Sequence, residues 1–195
     1  DARALIESDY GAVGIKLEGA GRLDDGFAGT LAVAAPGIGV EGCRAERATL
    51  YGKLATASGA PKLDGPLRLG GVKCGGATLA RADIGTKIAL KRDFSAAESD
   101  FALRGSGLGL ASVTGEGLRG TGRLTWSPKG LVVAHDLALT GIAAPQGRFA
   151  RLEAEGSWRG EASGGRGEWQ SDLRGTGLAA DASLGEQLAG IEAGL

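Results

Sequence analysis

The chain reads as an all-β protein, mainly antiparallel, with one short helix at its C-terminal end. Three observations predict this. Apolar and polar residues alternate with period two through almost the whole length, which puts them on opposite faces of extended strands. Gly and Pro clusters break the alternation at short intervals, as turns between strands do. Only the final segment changes to a helical period.

Residues 1–9 lack Gly and carry Ala2, Leu5 and Ile6, so a short helical turn or an ordered lead-in is expected there. Alternation starts after Tyr10, with Val13, Ile15, Leu17, Gly19, Gly21 and Leu23 on one face. Asp24-Asp25-Gly26 has turn chemistry. Phe27 to Ala35 forms the next strand, ended by Pro36-Gly37. In Ala45 to Ala57, Ala48, Leu50, Gly52 and Leu54 oppose Arg47, Thr49, Tyr51 and Lys53, and Ser58-Gly59-Ala60-Pro61 breaks the run. Leu63, Gly65, Leu67 and Leu69 resume it. At Gly70-Gly71 the phase slips to Val72 and Cys74, the trace a β-bulge leaves in sequence.

Leu79 to Leu90, with Ile88, holds one bent strand or two short ones. Phe101 and Leu103 lie on a strand before Gly105-Ser106-Gly107, and Leu108 to Thr114 leads into the clearest hairpin of the chain. In that hairpin, Leu118 to Ile142, one face carries Leu118, Gly120, Gly122, Leu124 and Trp126. Ser127-Pro128-Lys129-Gly130 suits a type I turn, because Pro fixes φ where that turn needs it. The return strand carries Leu131, Val133, Leu137 and Leu139. Pro145-Gln146-Gly147 then turns the chain into Arg148 to Arg159, where Leu152, Ala154, Gly156 and Trp158 share a face. Gly160 to Gly167 is a polar loop, and Trp169, Ser171, Leu173, Gly175 and Gly177 make the last strand. Leu184, Leu188, Ile191 and Leu195 follow a helical stripe, and Ser183 with Glu186 fits a capping box.

Composition supports order without a nucleic-acid role. Gly is 37 of 195 residues against a usual ~7%. Net charge is −1, aromatics are few, and Lys and Arg are scattered as single outward positions rather than clustered. The chain contains no Met and no run approaching the ~20 apolar residues of a membrane span, so a single β-rich segment, 1–195, cut or processed from a longer protein, is expected. Cys43 and Cys74 are the only thiols. They are either a bridge closing a loop of 31 residues or two buried free thiols.

Catalytic and metal signatures are missing from the sequence, so no enzyme, cofactor or metal site is expected. His135 is the single His and falls in phase with Leu131 and Leu139, as a core or groove-lining side chain would. No G-x-S-x-G elbow accompanies it, and one His with two Cys matches no zinc spacing. The Gly-Thr-Gly stretches lack the strand–loop–helix context that binds phosphate. Trp126, Trp158 and Trp169 fit the apolar edge near turns better than sugar-stacking platforms.

Weak internal repetition runs through Leu103-Arg-Gly-Ser-Gly107, Leu118-Arg-Gly-Thr-Gly122 and Leu173-Arg-Gly-Thr-Gly177, with a looser copy at Leu17 to Leu23. The spacings of 15 and 55 residues exclude a fixed-period solenoid. Gly repeated on the apolar face implies that the sheet bends tightly there or leaves room between side chains.

These L-x-G-x-G strands resemble the AsmA-like bridge-protein superfamily, closest to its YdbH-like branch in Gram-negative envelopes. The same resemblance is carried by Gly26-Phe-x-Gly-Thr-Leu31, by Gly42-Cys43 with Ala48-x-Leu50-Tyr-Gly52, and by Asp64-Gly-Pro-Leu-Arg-Leu69 with Cys74 beyond. It implies an elongated, curved, taco-like sheet in a longer periplasmic chain, anchored to the inner membrane through a region outside this segment. The apolar groove of such a sheet carries phospholipid acyl chains between inner and outer membranes, with envelope proteins as further partners and no nucleic acid. The implied lining comprises Val13, Ile15, Leu17, Leu50, Leu54, Leu67, Leu69, Ile88, Leu90, Phe101, Leu103, Leu118, Leu124, Leu131, Val133, Leu137, Leu139, Leu152 and Leu173. An oxidising periplasm favours a Cys43–Cys74 disulfide. The competing architectures are a closed β-sandwich or barrel, and a β-helix or adhesin module that recognises glycans or protein partners. A polysaccharide-processing β-helix would need clustered carboxylates, which the sequence does not show.

Overall fold

The computed structural model describes residues 1–9, 11–40, 42–163 and 166–180. The helix expected around Leu184 to Leu195 lies outside these residues. The strands, in order, are β1 (Ala2–Ser8), β2 (Gly11–Arg22), β3 (Asp25–Ala35), β4 (Ile38–Val40), β5 (Cys43–Ala57) and β6 (Ala60–Cys74). They continue with β7 (Ala77–Leu90), β8 (Ala97–Leu110), β9 (Val113–Ser127), β10 (Gly130–Ala144), β11 (Gly147–Gly160) and β12 (Gly167–Ala180). All belong to one open antiparallel sheet that runs as a meander from β1 to β12, with β4 beside β5 as the broken-off end of β3. The sheet neither closes as a barrel nor folds onto itself as a sandwich, and no second layer packs on it among the described residues.

Tight turns set the meander. Ser58-Gly59 joins β5 to β6 with both residues at positive φ, as a two-residue hairpin loop requires. Pro128-Lys129 joins β9 to β10, pairing Ser127 with Gly130 and Leu118 with Leu139 as the alternation predicts. Leu79 to Leu90 belongs to a single strand, β7. Ala2 to Ser8 is also a strand, which makes this segment the ordered lead-in rather than the helical turn of the two expected. Its backbone pairs with β2 (Ala4 with Ile15, Ile6 with Val13), and those sheet hydrogen bonds outweigh a weak local helical pattern.

The phase slip expected at Gly70-Gly71 is present, and it is general. Pairing passes from Gly70–Arg81 to Val72–Leu79, leaving Gly71 and Ala80 out of register. Gly71, Gly107, Gly141 and Gly177 all sit at φ between 61° and 67°. They are 36, 34 and 36 residues apart, one on every second strand, and Glu46, Ala80, Glu116 and Ala150 face them from the strands between. Every strand from β5 to β12 thus carries one extra residue at the same level, and its alternation resumes with the apolar residues on the original face. The repeat is therefore regular, contrary to the irregular spacing read from the sequence. Leu67-x-Leu-x-Gly71, Leu103-x-Gly-x-Gly107, Leu137-x-Leu-x-Gly141 and Leu173-x-Gly-x-Gly177 are its equivalent copies. Leu118 to Gly122 resembles them in letters but sits at a different level of β9 and keeps Gly122 at negative φ.

Cys43 and Cys74 are cross-strand partners on β5 and β6 and form a disulfide. In the chain-entropy description a 31-residue separation stabilises by about 3–4 kcal/mol. Reduction is expected to lower the unfolding free energy by that amount, and a reduced urea midpoint equal to the oxidised one would contradict it. A Cβ at Gly107 would stand 2.7 Å from the Ala80 Cβ, on a left-handed backbone. Gly107→Ala is therefore expected to cost about 1–3 kcal/mol, with part recovered by Ala80→Gly. Gly76→Ala, which meets no atom within 4 Å, should stay within about 0.5 kcal/mol. Equal losses at both sites would refute the role assigned to the glycine column.

Candidate functional site

One face of the sheet is built from apolar ladders that run across the strands. The longest passes through Ala4, Ile15, Val33, Leu50, Leu67, Ile84, Leu103, Gly120, Leu137, Ala154 and Leu173, each paired directly with the next. Directly opposed residues share a face, and so do residues two apart on a strand. A second ladder runs Leu69, Ala82, Gly105, Leu118, Leu139, Leu152, Gly175. A third runs Leu54, Leu63, Ile88, Ser99, Leu124, Val133, Trp158, Trp169. Leu90, Ala97, Trp126 and Leu131 form a fourth, near the strand ends. Val13 and Leu17 flank Ile15 on β2, and Phe101 flanks Leu103 on β8. The residues expected to line a groove are thus all brought to one face. Val33, Ile84, Leu63 and Trp158 join them through the same alternation.

The glycines of this face do not leave empty room. Large side chains lie over them: Phe101, Leu137 and Phe27 reach from neighbouring strands over Gly122, Gly120 and Gly19, and Phe27 also covers Gly29 of its own strand. At Gly120 the Asp136 carbonyl oxygen also occupies the place of a Cβ, so the backbone approaches there as only Gly permits. The aromatic side chain restores the contact area that the glycine gave up. Lateral packing leaves most of the large apolar side chains half-buried, and the most buried members are small or polar: Ala82, Ala154, Thr56, Thr86 and Ser99, with Phe27 and Ile142 as the large exceptions. Thr86 donates to the Gly65 carbonyl at 2.9 Å and the Phe27 N–H donates to Thr56 at 3.0 Å, so these buried hydroxyls are satisfied.

His135 lies within the face, on β10. Its Nε2 accepts a hydrogen bond from the Trp169 indole N–H at 2.8 Å, which leaves the proton on Nδ1, 3.4 Å from the Ala154 carbonyl oxygen. The ring is thus a structural member of the face, stacked on Trp169. Trp126 donates to the Ala162 carbonyl at 2.9 Å and ties down the β11–β12 connection. Both Trp residues have their polar edges engaged within the protein. No group of His, Cys, Asp and Glu among the described residues is arranged to hold a metal.

No protein-family model, curated protein or solved structure matches this chain. The sheet's own chemistry therefore carries the functional reading.

The opposite face is polar and laced with exposed ion pairs. Arg123 donates to Asp100 at 2.8 Å, Arg81 to Asp83 at 2.8 Å, and Arg151 to Glu153 at 2.8 Å. Shallow concavities of about 810, 880 and 970 Å3 open on this face. The hydrogen bond from Arg123, more than its charge alone, holds the Asp100 carboxyl below its ordinary value. That pairing stabilises fully above the ordinary aspartate value of 3.8, and the contribution is lost as pH falls through the lowered folded value. Arg123→Gln is expected to raise the Asp100 titration midpoint toward 3.8, read by carboxyl carbon NMR. An unmoved midpoint would show that the pair does not form in solution.

Proposed function

We propose that this chain is a lipid-carrying section of an envelope bridge protein, holding phospholipid acyl chains against its apolar face. The observation that carries the reading is the continuous apolar ladder across 11 strands of a single-layer sheet, with nothing packed over it among the described residues. A sheet with one apolar face needs a cover, and helices or a second sheet are the usual ones. Acyl chains satisfy the same demand at ~0.8 kcal/mol per buried CH₂. At ~4.8 Å between neighbouring strands the ladder extends about 50 Å, so it offers a path rather than a pocket for one molecule. The Cys43–Cys74 disulfide fits an oxidising compartment such as the periplasm. Headgroups would remain in water along the strand ends, where the apolar ladders stop.

Val132 and Val133 are adjacent on β10 and point to opposite faces. Val133→Asp and Leu137→Asp are expected to abolish phospholipid retained after purification, read by native mass spectrometry. Val132→Asp should leave it unchanged, with circular dichroism confirming the sheet in all three variants. No lipid on the parent protein, or equal loss from Val132→Asp, would overturn the proposal. Dimers that bury the apolar face in place of lipid would assign the cover to a second copy.

A further inference from the structure

The polar face breaks its own repeat at one place. At the level just before the glycine column, Arg68, Asp83, Arg104, Arg119, Ala138, Glu153 and Arg174 pair in sequence across β6 to β12. Asp83 on β7 and Glu153 on β11 hold the acidic position of the hairpin repeat, Asp83 between Arg68 and Arg104 and Glu153 beside Arg174. Arg119 holds that position on β9, and Ala138 stands where the other copies have Arg68, Arg104 and Arg174. Two guanidinium groups, Arg104 and Arg119, therefore face each other across adjacent strands. Opposed like charges destabilise a sheet, and an acid at position 119 would have relieved this pair.

Neither arginine gains a partner elsewhere. Asp83 is taken by Arg81 at 2.8 Å and 3.2 Å and by Arg68 at 3.4 Å, while Glu153 is held by Arg151. Arg104 and Arg119 form no ion pair or hydrogen bond among the described residues. They stand in the concavity of about 810 Å3, with Ala102, Gly85 and Ala138 as its small-residue lining. Five arginines and two aspartates line it, on a chain of net charge −1. Asp136 is the second of those acids and has no counter-ion among the described residues.

From this juxtaposition we infer a binding site for a phosphate-bearing anion at the Arg104–Arg119 pair on the polar face. Guanidinium forks match phosphate oxygens two at a time, and two forks on neighbouring strands fit a phosphomonoester or a diphosphate. Bound anion removes the repulsion between Arg104 and Arg119 and replaces the missing acid of the repeat. The site lies on the face opposite the apolar ladders and does not depend on lipid occupying them. A free phosphate ester and a lipid headgroup present the same chemistry.

Calorimetric titration of the purified chain with inorganic pyrophosphate tests this, at low ionic strength because exposed charges are screened by salt. Saturable binding is expected, weakened at least ~10-fold by Arg104→Gln or Arg119→Gln. Arg159→Gln, an equal charge change at a distant position on β11, should alter it by less than ~2-fold, and Asp136→Asn should tighten it. Absence of saturable binding, or an equal loss with Arg159→Gln, overturns the proposal. Flotation with vesicles containing phosphatidic acid then separates the sources. Recovery that depends on Arg119 assigns a lipid headgroup, and pyrophosphate binding without flotation assigns a soluble phosphate ester.

Discussion

The rest of the molecule depends on one backbone event repeated across the sheet. Every strand from β5 to β12 contains an extra residue at the same level, and on alternate strands that residue is a left-handed glycine. Without it, a strand of 14 or 15 residues would carry its apolar set onto the other face beyond the slip, since a shift of one residue reverses every side chain. Because all eight strands slip together, neighbours stay in register. Ala45, Val72, Leu79 and Leu108 extend the same apolar surface on the far side of the column. The β3–β4 break at Pro36-Gly37 falls at this level too, where a chain interruption replaces the left-handed residue.

A second constraint follows from having one layer only. A two-layer protein buries large side chains between its layers, whereas among the described residues they find cover only from their lateral neighbours. Large and small residues therefore alternate along the ladders, as in Leu103–Gly120–Leu137 and Phe101–Gly122–His135. Glycine, which weakens an ordinary strand, here lets the neighbouring ring or leucine lie flat on the backbone. The meander keeps each pairing local in sequence, so strand order never requires a long crossover. The disulfide fastens β5 to β6 at the end of the hairpin remote from the Ser58-Gly59 turn, where fraying would otherwise begin.

Most of this was legible in the sequence. Alternation identified the strands, their apolar face and most turns, because period two is imposed by backbone geometry and survives in each strand independently. The slip at Gly70-Gly71 was readable because two glycines mark it. Its copies at Gly141 and Gly177 were hidden, since a left-handed glycine looks like any other in a chain with 37 of them. The letters of Leu118 to Gly122 imitate the repeat without occupying its place, which made the period look irregular. For Ala2 to Ser8 the residues leave a helical turn and an ordered lead-in both open, because an edge strand is specified by its partner's hydrogen bonds more than by its own residues. The arginine pair was invisible, since Arg104 and Arg119 are 15 residues apart and meet only through the register of β8 and β9.

The surface the chain leaves in water measures how incomplete its own packing is. It exposes 12617 Å2, whereas a compact monomer of 19.5 kDa exposes roughly 8,500 Å2. Polar groups on the polar face account for part of the excess without cost. On the ladder face Ile6, Leu110, Trp169, Leu173 and Leu178 stand exposed, and each 100 Å2 of apolar surface left in water forgoes about 2.5 kcal/mol. Sheets of this kind are prone to associate unless that surface is covered. The described residues, which supply no second layer, keep the face continuous from β5 to β12 by means of the glycine column. The acyl-chain cover proposed above, able to slide along an unbroken apolar surface, would satisfy both features. One fixed at a single place would explain the burial but not the continuity.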